Sequence, residues 1–515
     1  MIFVTSLDMA EPVSRRSFIK WVLASSAAMG CPIPAGAAGD SSGKPAAGRP
    51  GPVLHSEDNT ICHKVRDGES FPSPAPDQKV DVVIVGGGPS GLAAADELKG
   101  ANYLLLEKEE HLGGNSYSEE WNGLKYSTAA AWDSLPIPEF QALAKRWKFD
   151  WKKIEGEDSV AFNGKWIRNF WTGRADNPAI DQLPFDKSVK DGFRTFISEL
   201  EHLNFDDEKV VADLDSRRFS DYLKGRPVEL KQFWDQFGPS NWGATTEDTS
   251  LYVGLSCARD WFRFPHYTWE GGIGQASLKV LESIGEANKK KLLTRCYVYK
   301  VAKHGKGVRV SFFRDGKPHT IEAKAAVMAT PKFITKMLVE GLPTDQFTAM
   351  SSMRYAPYLV FNLCFDRVVY NQGYDNWPIG AKNFTDFIPA DWVVHGEGGD
   401  LSRKQVITVY APRPELERSN FLDDGKVMGM AQAAADELTG LFPGWTDHLK
   451  EVRIYRRGHP MPMSVPGYFT KLQPLGRRDF SPIYFGHSDA MGEVSDFLYA
   501  GLSGITAAQK ASKHI

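Results

Sequence analysis

Apolar residues run without a break at Val82-Val83-Ile84-Val85 and then stop at Gly86-Gly87-Gly88-Pro89-Ser90-Gly91. An unbroken run of that length is the pattern of a strand covered on both faces, as in a parallel sheet. Residues 92–98 resume with helix formers, and Tyr103-Leu104-Leu105-Leu106 makes a second apolar run closed by Glu107. Strand, glycine turn, helix and strand make a βαβ unit. Gly86, Gly88 and Gly91 permit a tight turn, close approach of backbone to a pyrophosphate and close helix packing. Ser90 lies on the first helical turn, whose N–H groups and positive dipole end face the phosphates. Glu107, about 20 residues on, is where an acid can hold an adenosine ribose, and Lys108 follows it directly.

Similar alternations recur along the chain. Thr268-Trp269-Glu270-Gly271-Gly272-Ile273-Gly274-Gln275 is a glycine turn leading into a helical pattern at 278–284. Residues 292–301 and 308–312 read as a hairpin around Gly305-Lys306-Gly307. Ala325-Ala326-Val327-Met328-Ala329-Thr330-Pro331 reads as a further strand, as does Pro482-Ile483-Tyr484-Phe485-Gly486-His487-Ser488-Asp489, ahead of a helix over 497–508 that starts after Ser495-Asp496. Two long insertions lie between these segments. The first carries helical patterns at 139–147 and 188–203 and many aromatics, among them Trp166, Trp234, Trp242 and Trp261. The second has strands at 358–365 and 406–410 and a helix at 426–441.

After Glu107, the doublet Gly113-Gly114-Asn115-Ser116 resembles the flavin-containing amine oxidase superfamily more than nicotinamide dehydrogenases. The resemblance covers roughly residues 80–508, and its specific motifs are the flavin-binding stretches. It implies FAD as cofactor, with Gly113 and Gly114 bringing backbone to the phosphates and Asn115 standing where the family usually has arginine. It implies that Val298 pairs its backbone with the adenine, and that Gly486 with Asp489 lies near the ribityl and phosphate groups. The last helix, beginning at Asp496 and Phe497, would point its N–H groups at the ring carbonyl and stabilise charge on reduced flavin. The fold class implied is α/β, a doubly wound, Rossmann-like FAD-binding domain (80–133, 266–331, 458–515) interleaved with a mixed α+β substrate domain (134–265, 332–457).

Two features of that family are missing. Its lysine near flavin N5 belongs on a strand that corresponds to Tyr355-Ala356-Pro357-Tyr358-Leu359-Val360-Phe361-Asn362-Leu363, which has none, and Asp496 stands where the aromatic cage has tyrosine. Asp496 is then either a helix cap or a contact for a substrate ammonium or a general base. His459, in Arg456-Arg457-Gly458-His459-Pro460, is a structural or a catalytic histidine. The expected function is an FAD-dependent oxidoreductase, first an amine oxidase or dehydrogenase that passes hydride to N5 and is reoxidised by oxygen or a quinone. The alternatives are a desaturase or porphyrinogen-type dehydrogenase, and an electron-carrying flavoprotein with a closed or absent cavity.

Composition changes the picture at the N-terminus. Ser14-Arg15-Arg16-Ser17-Phe18-Ile19-Lys20, the short apolar run at 21–29 and Ala35-Gly36-Ala37 resemble a twin-arginine signal peptide over residues 1–37, with leader and linker over 38–79. The run is too short to span a bilayer, which takes about 20 residues. The expected address is periplasmic or extracellular, reached through the twin-arginine machinery as a folded protein, with Cys31 in a poor lipidation context. A net charge of −3 from 61 basic and 64 acidic residues, without a basic cluster, argues against nucleic acid. Cys62, Cys257, Cys296 and Cys364 form no CxxC, so no metal site is expected.

Overall fold

The computed structural model describes residues 52–154, 158–170 and 175–515; the twin-arginine segment and Cys31 lie outside them. Two sheets organise the chain. In the nucleotide sheet, Gln78–Val85 lies parallel between Tyr103–Leu106 and the second half of Lys317–Met328, with Val85 opposite both Leu106 and Met328. The valines of this central strand are buried on both faces, which is why the run reads as continuously apolar. Ile483–Phe485 joins in parallel beside Ala326–Met328, so the C-terminal segment completes the sheet that the N-terminal one begins. The hairpin Tyr297–His304/Gly307–Arg314 extends it antiparallel, and Leu292–Leu293 pairs instead with Tyr103–Leu106 at the opposite edge. Helices Pro89–Glu97, Gly274–Ile284 and Phe497–Ser512 pack on one face. A Cβ on Gly504 would come within 2.0 Å of the Ser90 carbonyl, so the first and last helices touch through their backbones.

The second sheet has eight strands, and its middle is the long pair Leu449–Pro462 and Tyr355–Phe365 followed by Gln405–Pro412 and Asp386–Pro389. All eleven residues of Tyr355–Phe365 are buried. The helices Lys187–Glu201, Val228–Trp242 and Leu251–Arg263 cover it with an aromatic cluster that includes Trp234, Trp242, Trp261 and Trp377.

Residues 38–79, expected as leader and linker, need correction where they are described. Val53–Ser56 is an edge strand parallel to Leu449–Pro462, with Val53 opposite Arg453, and Thr60–Arg66 is a helix. Neither has a long apolar run, because each is partly exposed and held by neighbours far along the chain. No helix among the described residues is long and apolar enough to cross a membrane.

Candidate active site

The two sheets enclose a cavity of about 1390 Å³ lined from both. Ordinary ligand pockets are roughly 300–1,000 Å³, so there is room for a long cofactor and a substrate together. One end is built by the glycine turn. Gly86 has φ +105°, a region that favours glycine. A Cβ on Gly91 would stand 1.8 Å from the Gly86 carbonyl oxygen, so this glycine sits behind the wall and lets helix meet strand. Gly88 differs: it faces the cavity with ordinary φ −73°, and the nearest atom to a Cβ there would be Gly114 Cα at 3.9 Å. Nothing in the protein requires glycine at 88. The space a side chain would fill is the cradle a dinucleotide phosphate needs, which is the observation on which FAD fits.

Glu107 closes this end. Its buried carboxylate accepts N–H bonds from Gly87 (2.6 Å) and Glu109 (2.8 Å), which fix its orientation while leaving lone pairs for a ribose. Burial pushes its pKa up, and Lys108 opposes that shift. Lys108 itself is paired with Glu57 at 3.7 Å and with Glu109. Burial disfavours its charge, and Glu57, Glu109 and Glu107 more than reverse that. Glu57 belongs to the segment that joins the edge strand Val53–Ser56 to its helix, so this stretch also walls the nucleotide end. Gly113 and Gly114 have φ +115° and +56°; Gly114 packs on Gly88, and Gly113 lies behind it. Asn115 lines the cavity and its amide donates at 3.5 Å to the carbonyl of Pro460, on the strand Leu449–Pro462 of the second sheet. Val298 lines the cavity at an irregularity in its hairpin.

The C-terminal segment needs two corrections. Asp489 does not face the cavity. It is fully buried behind the wall, where it accepts from Lys332 Nζ (2.8 Å), the Lys332 N–H (2.7 Å) and the Tyr355 hydroxyl (2.7 Å). Burial pushes its carboxyl up, but the Lys332 ammonium and His487 overcome this and hold it well below the usual carboxylate range. Gly486 is likewise a packing position, with Ser90 Oγ 2.5 Å from a would-be Cβ. His487 is the residue that reaches the cavity, at φ +111°, pinned by its N–H to Ser90 Oγ and Ser503 Oγ, each at 2.9 Å. Such backbone in a non-glycine residue is costly and clusters at functional sites; the sequence offered no sign of it.

At the other end, Asp496 caps Phe497–Ser512 by accepting the Tyr499 N–H at 2.6 Å, and Phe497 packs its edge on Trp147. A residue absent from the sequence reading, Asp133, accepts the Ser134 N–H at 2.8 Å and acts on Asp496 at the helix start, so the two carboxyls are neighbours there. Both line the cavity, Asp133 buried and Asp496 partly exposed. Burial raises Asp133 to about 7. Burial and then Asp133 raise Asp496 well above the usual range. None of the groups acting most strongly on either is a cation. His459 stacks on Phe333 (centroids 4.2 Å apart, 22° between planes), and burial lowers its pKa to about 4, which leaves a neutral ring at pH 7. No three His, Cys, Asp or Glu side chains among the described residues are grouped to hold a metal.

The profile of the flavin containing amine oxidoreductases matches residues 89–510. The chain belongs to that family. It is 23% identical to oxidoreductase PigB of a Serratia species over 85% of this chain and 76% of that protein. It is 24% identical to the L-amino acid dehydrogenase of a Synechocystis species over 52% of this chain and 59% of that protein. Cyclohexylamine oxidase from Brevibacterium oxydans shares the fold with a TM-score of 0.64 and 17% identity, over 84% of this chain and 99% of that one. The protein is thus an FAD-dependent oxidoreductase of α/β fold. An electron carrier with a closed or absent cavity is not what the fold provides.

Proposed function

We propose that the protein oxidises a primary or secondary amine, and that Asp133 and Asp496 receive it at the start of the last helix. The carrying observation is this carboxyl pair, set in a cavity wall with no cation among the groups acting most strongly on either acid. A buried charge is costly unless paired, and an ammonium is the partner that such a pair selects. When bound, FAD would supply the two-electron acceptor for a hydride equivalent, with oxygen or a quinone as the terminal acceptor. Asp496 Oδ1 holds the Tyr499 N–H, which keeps the carboxyl at the helix mouth. The ionised pair draws the ammonium and takes one proton from it, freeing the nitrogen lone pair. Trp261, Phe237 and Phe497 exclude water from the cavity, and His459, neutral and stacked, serves as wall. Glu107 and the Gly88 cradle hold the nucleotide.

A second reading, dehydrogenation of a neutral substrate, draws on one observation: the buried strand Tyr355–Phe365 carries no lysine. Purified holoprotein offered a panel of primary and secondary amines separates the two. Peroxide release, or bleaching of the flavin where a quinone is the acceptor, is expected with at least one amine. Failure with every amine transfers the assignment to neutral substrates.

We further infer twin-arginine export to the periplasm or beyond, supported by Arg15-Arg16 ahead of a short apolar run. Cell fractionation should find wild type outside the cytoplasm and the double variant Arg15→Lys/Arg16→Lys retained within it; equal distribution would remove the inference.

A further inference from the structure

Beyond the helix mouth, the same cavity runs under the second sheet. Tyr355 donates to Asp489, and Tyr358 lies three residues on, about 10 Å further along the strand. There the wall holds a second set of buried polar groups. Asp386 Oδ1 accepts from Ser240 Oγ at 2.9 Å and Thr385 Oγ1 at 2.5 Å, and Ser240 Oγ also bonds the Tyr358 hydroxyl at 2.7 Å. Asp375 Oδ1 has no hydrogen-bond partner, and neither has the Tyr410 hydroxyl; their residues are 2% and 6% exposed. Asp375, Asp386, Tyr358 and Tyr410 all line the cavity. Asp375 is raised by burial, then by Asp386 and Asp158, and Asp386 is raised by burial to about 7. No lysine or arginine is among the groups acting most strongly on either.

Buried polar atoms are nearly always satisfied, and a carboxyl pair facing its own kind is unfavourable without a cation. A shared proton would neutralise the acids but leave the Tyr410 hydroxyl unpartnered. Aromatic faces complete the site: Phe237 stacks on Trp377 at 5.0 Å and meets Trp261 edge-on at 4.4 Å, and such rings favour ammonium groups.

We propose that Asp375, Asp386 and Tyr410 form a second cation subsite that takes the remote ammonium of a substrate carrying two positive charges. This rests on the amine reading for the reacting end, where Asp133 and Asp496 receive the first nitrogen. The acids supply the attraction, and Tyr410 turns its hydroxyl oxygen to an ammonium proton.

Calorimetric titration of the holoprotein with linear diamines from diaminobutane to diaminooctane, each beside the monoamine of equal length, tests the subsite without requiring turnover. At least one diamine should bind about tenfold or more tightly than its monoamine. Asp375→Asn should erase that preference while monoamine affinity stays near wild type, and Tyr410→Phe, which preserves shape, should reduce it several-fold. Flavin content measured on each variant verifies folding; if Asp375→Asn fails that check, Asp386→Asn with Tyr410→Phe decides. Equal binding of every pair by wild type, or a preference that survives these substitutions, overturns the subsite. Anaerobic flavin reduction by the same ligands is read separately: a diamine preference in binding with no reduction by any amine would overturn the amine-oxidation reading and leave the subsite standing.

Discussion

Asp489 and Asp496 lie seven residues apart, the first fully buried and the second partly exposed on the cavity wall, and their surroundings push them in opposite directions. Asp489 is enclosed by Lys332, Tyr355 and His487 and stays ionised. Asp496 lies beside Asp133 with no cation among the groups acting most strongly on it, so burial and then Asp133 raise it. The difference teaches that burial of an acid does not mark a site. A compensated acid ties distant segments of the chain together, whereas an uncompensated one on a cavity wall is left for a ligand to satisfy.

Removing a partner from each kind of site should sharpen that contrast. Asp489→Ala strands the Lys332 ammonium behind the wall, and breaking a buried pair in this way costs about 3–5 kcal/mol. Denaturant unfolding should show a loss of that size; a change under ~1 kcal/mol would mean that Lys332 finds another acceptor. Asp133→Asn removes an acid that has no cation, and its stability at pH 7 should stay near wild type or rise.

Glu107→Ala comes next in size. A charged hydrogen bond is worth about 1.5–3 kcal/mol, roughly ten- to a hundredfold in affinity, so titration of apoprotein with FAD should show that weakening. An unchanged dissociation constant would place the ribose elsewhere. Gly88 and Gly91 divide the glycine turn in the same way. Gly88→Val should fold and lose its yellow colour, since the only space it fills is the cradle, whereas Gly91→Ala should disturb the fold itself. Stoichiometric FAD on folded Gly88→Val would refute the cradle.

These residues also show what the sequence could reveal. The βαβ unit, the tight turn through Gly86 and Gly91, and the place of Glu107 at the end of the second strand were legible because each is fixed by neighbours within about 20 residues. Asp496 was legible as a cap for the same reason. Asp133 was not, since its meaning comes from a helix more than 360 positions later. The inward turn of Asp489 depends on Lys332, 157 residues away. The strand Val53–Ser56 was invisible because its partner is Leu449–Pro462, and the composition around it is that of a linker.

The smallest effect concerns pH. An acid that titrates near 7 in the folded protein is protonated below that value and charged above it, so amine oxidation should rise as pH passes upward through about 7 while the Asp133–Asp496 pair loses its proton. Asp133→Asn should flatten that rise; an unaltered profile would assign the proton to another group.

The most direct measurement is anaerobic mixing of the holoprotein with its best amine, for wild type and Asp496→Asn. Asparagine keeps the cap and removes the charge, so flavin content and melting temperature should match wild type while flavin reduction slows about tenfold or more, or ~1.4 kcal/mol on the barrier. Equal reduction rates in the two proteins would confine Asp496 to capping and contradict its place in the chemistry.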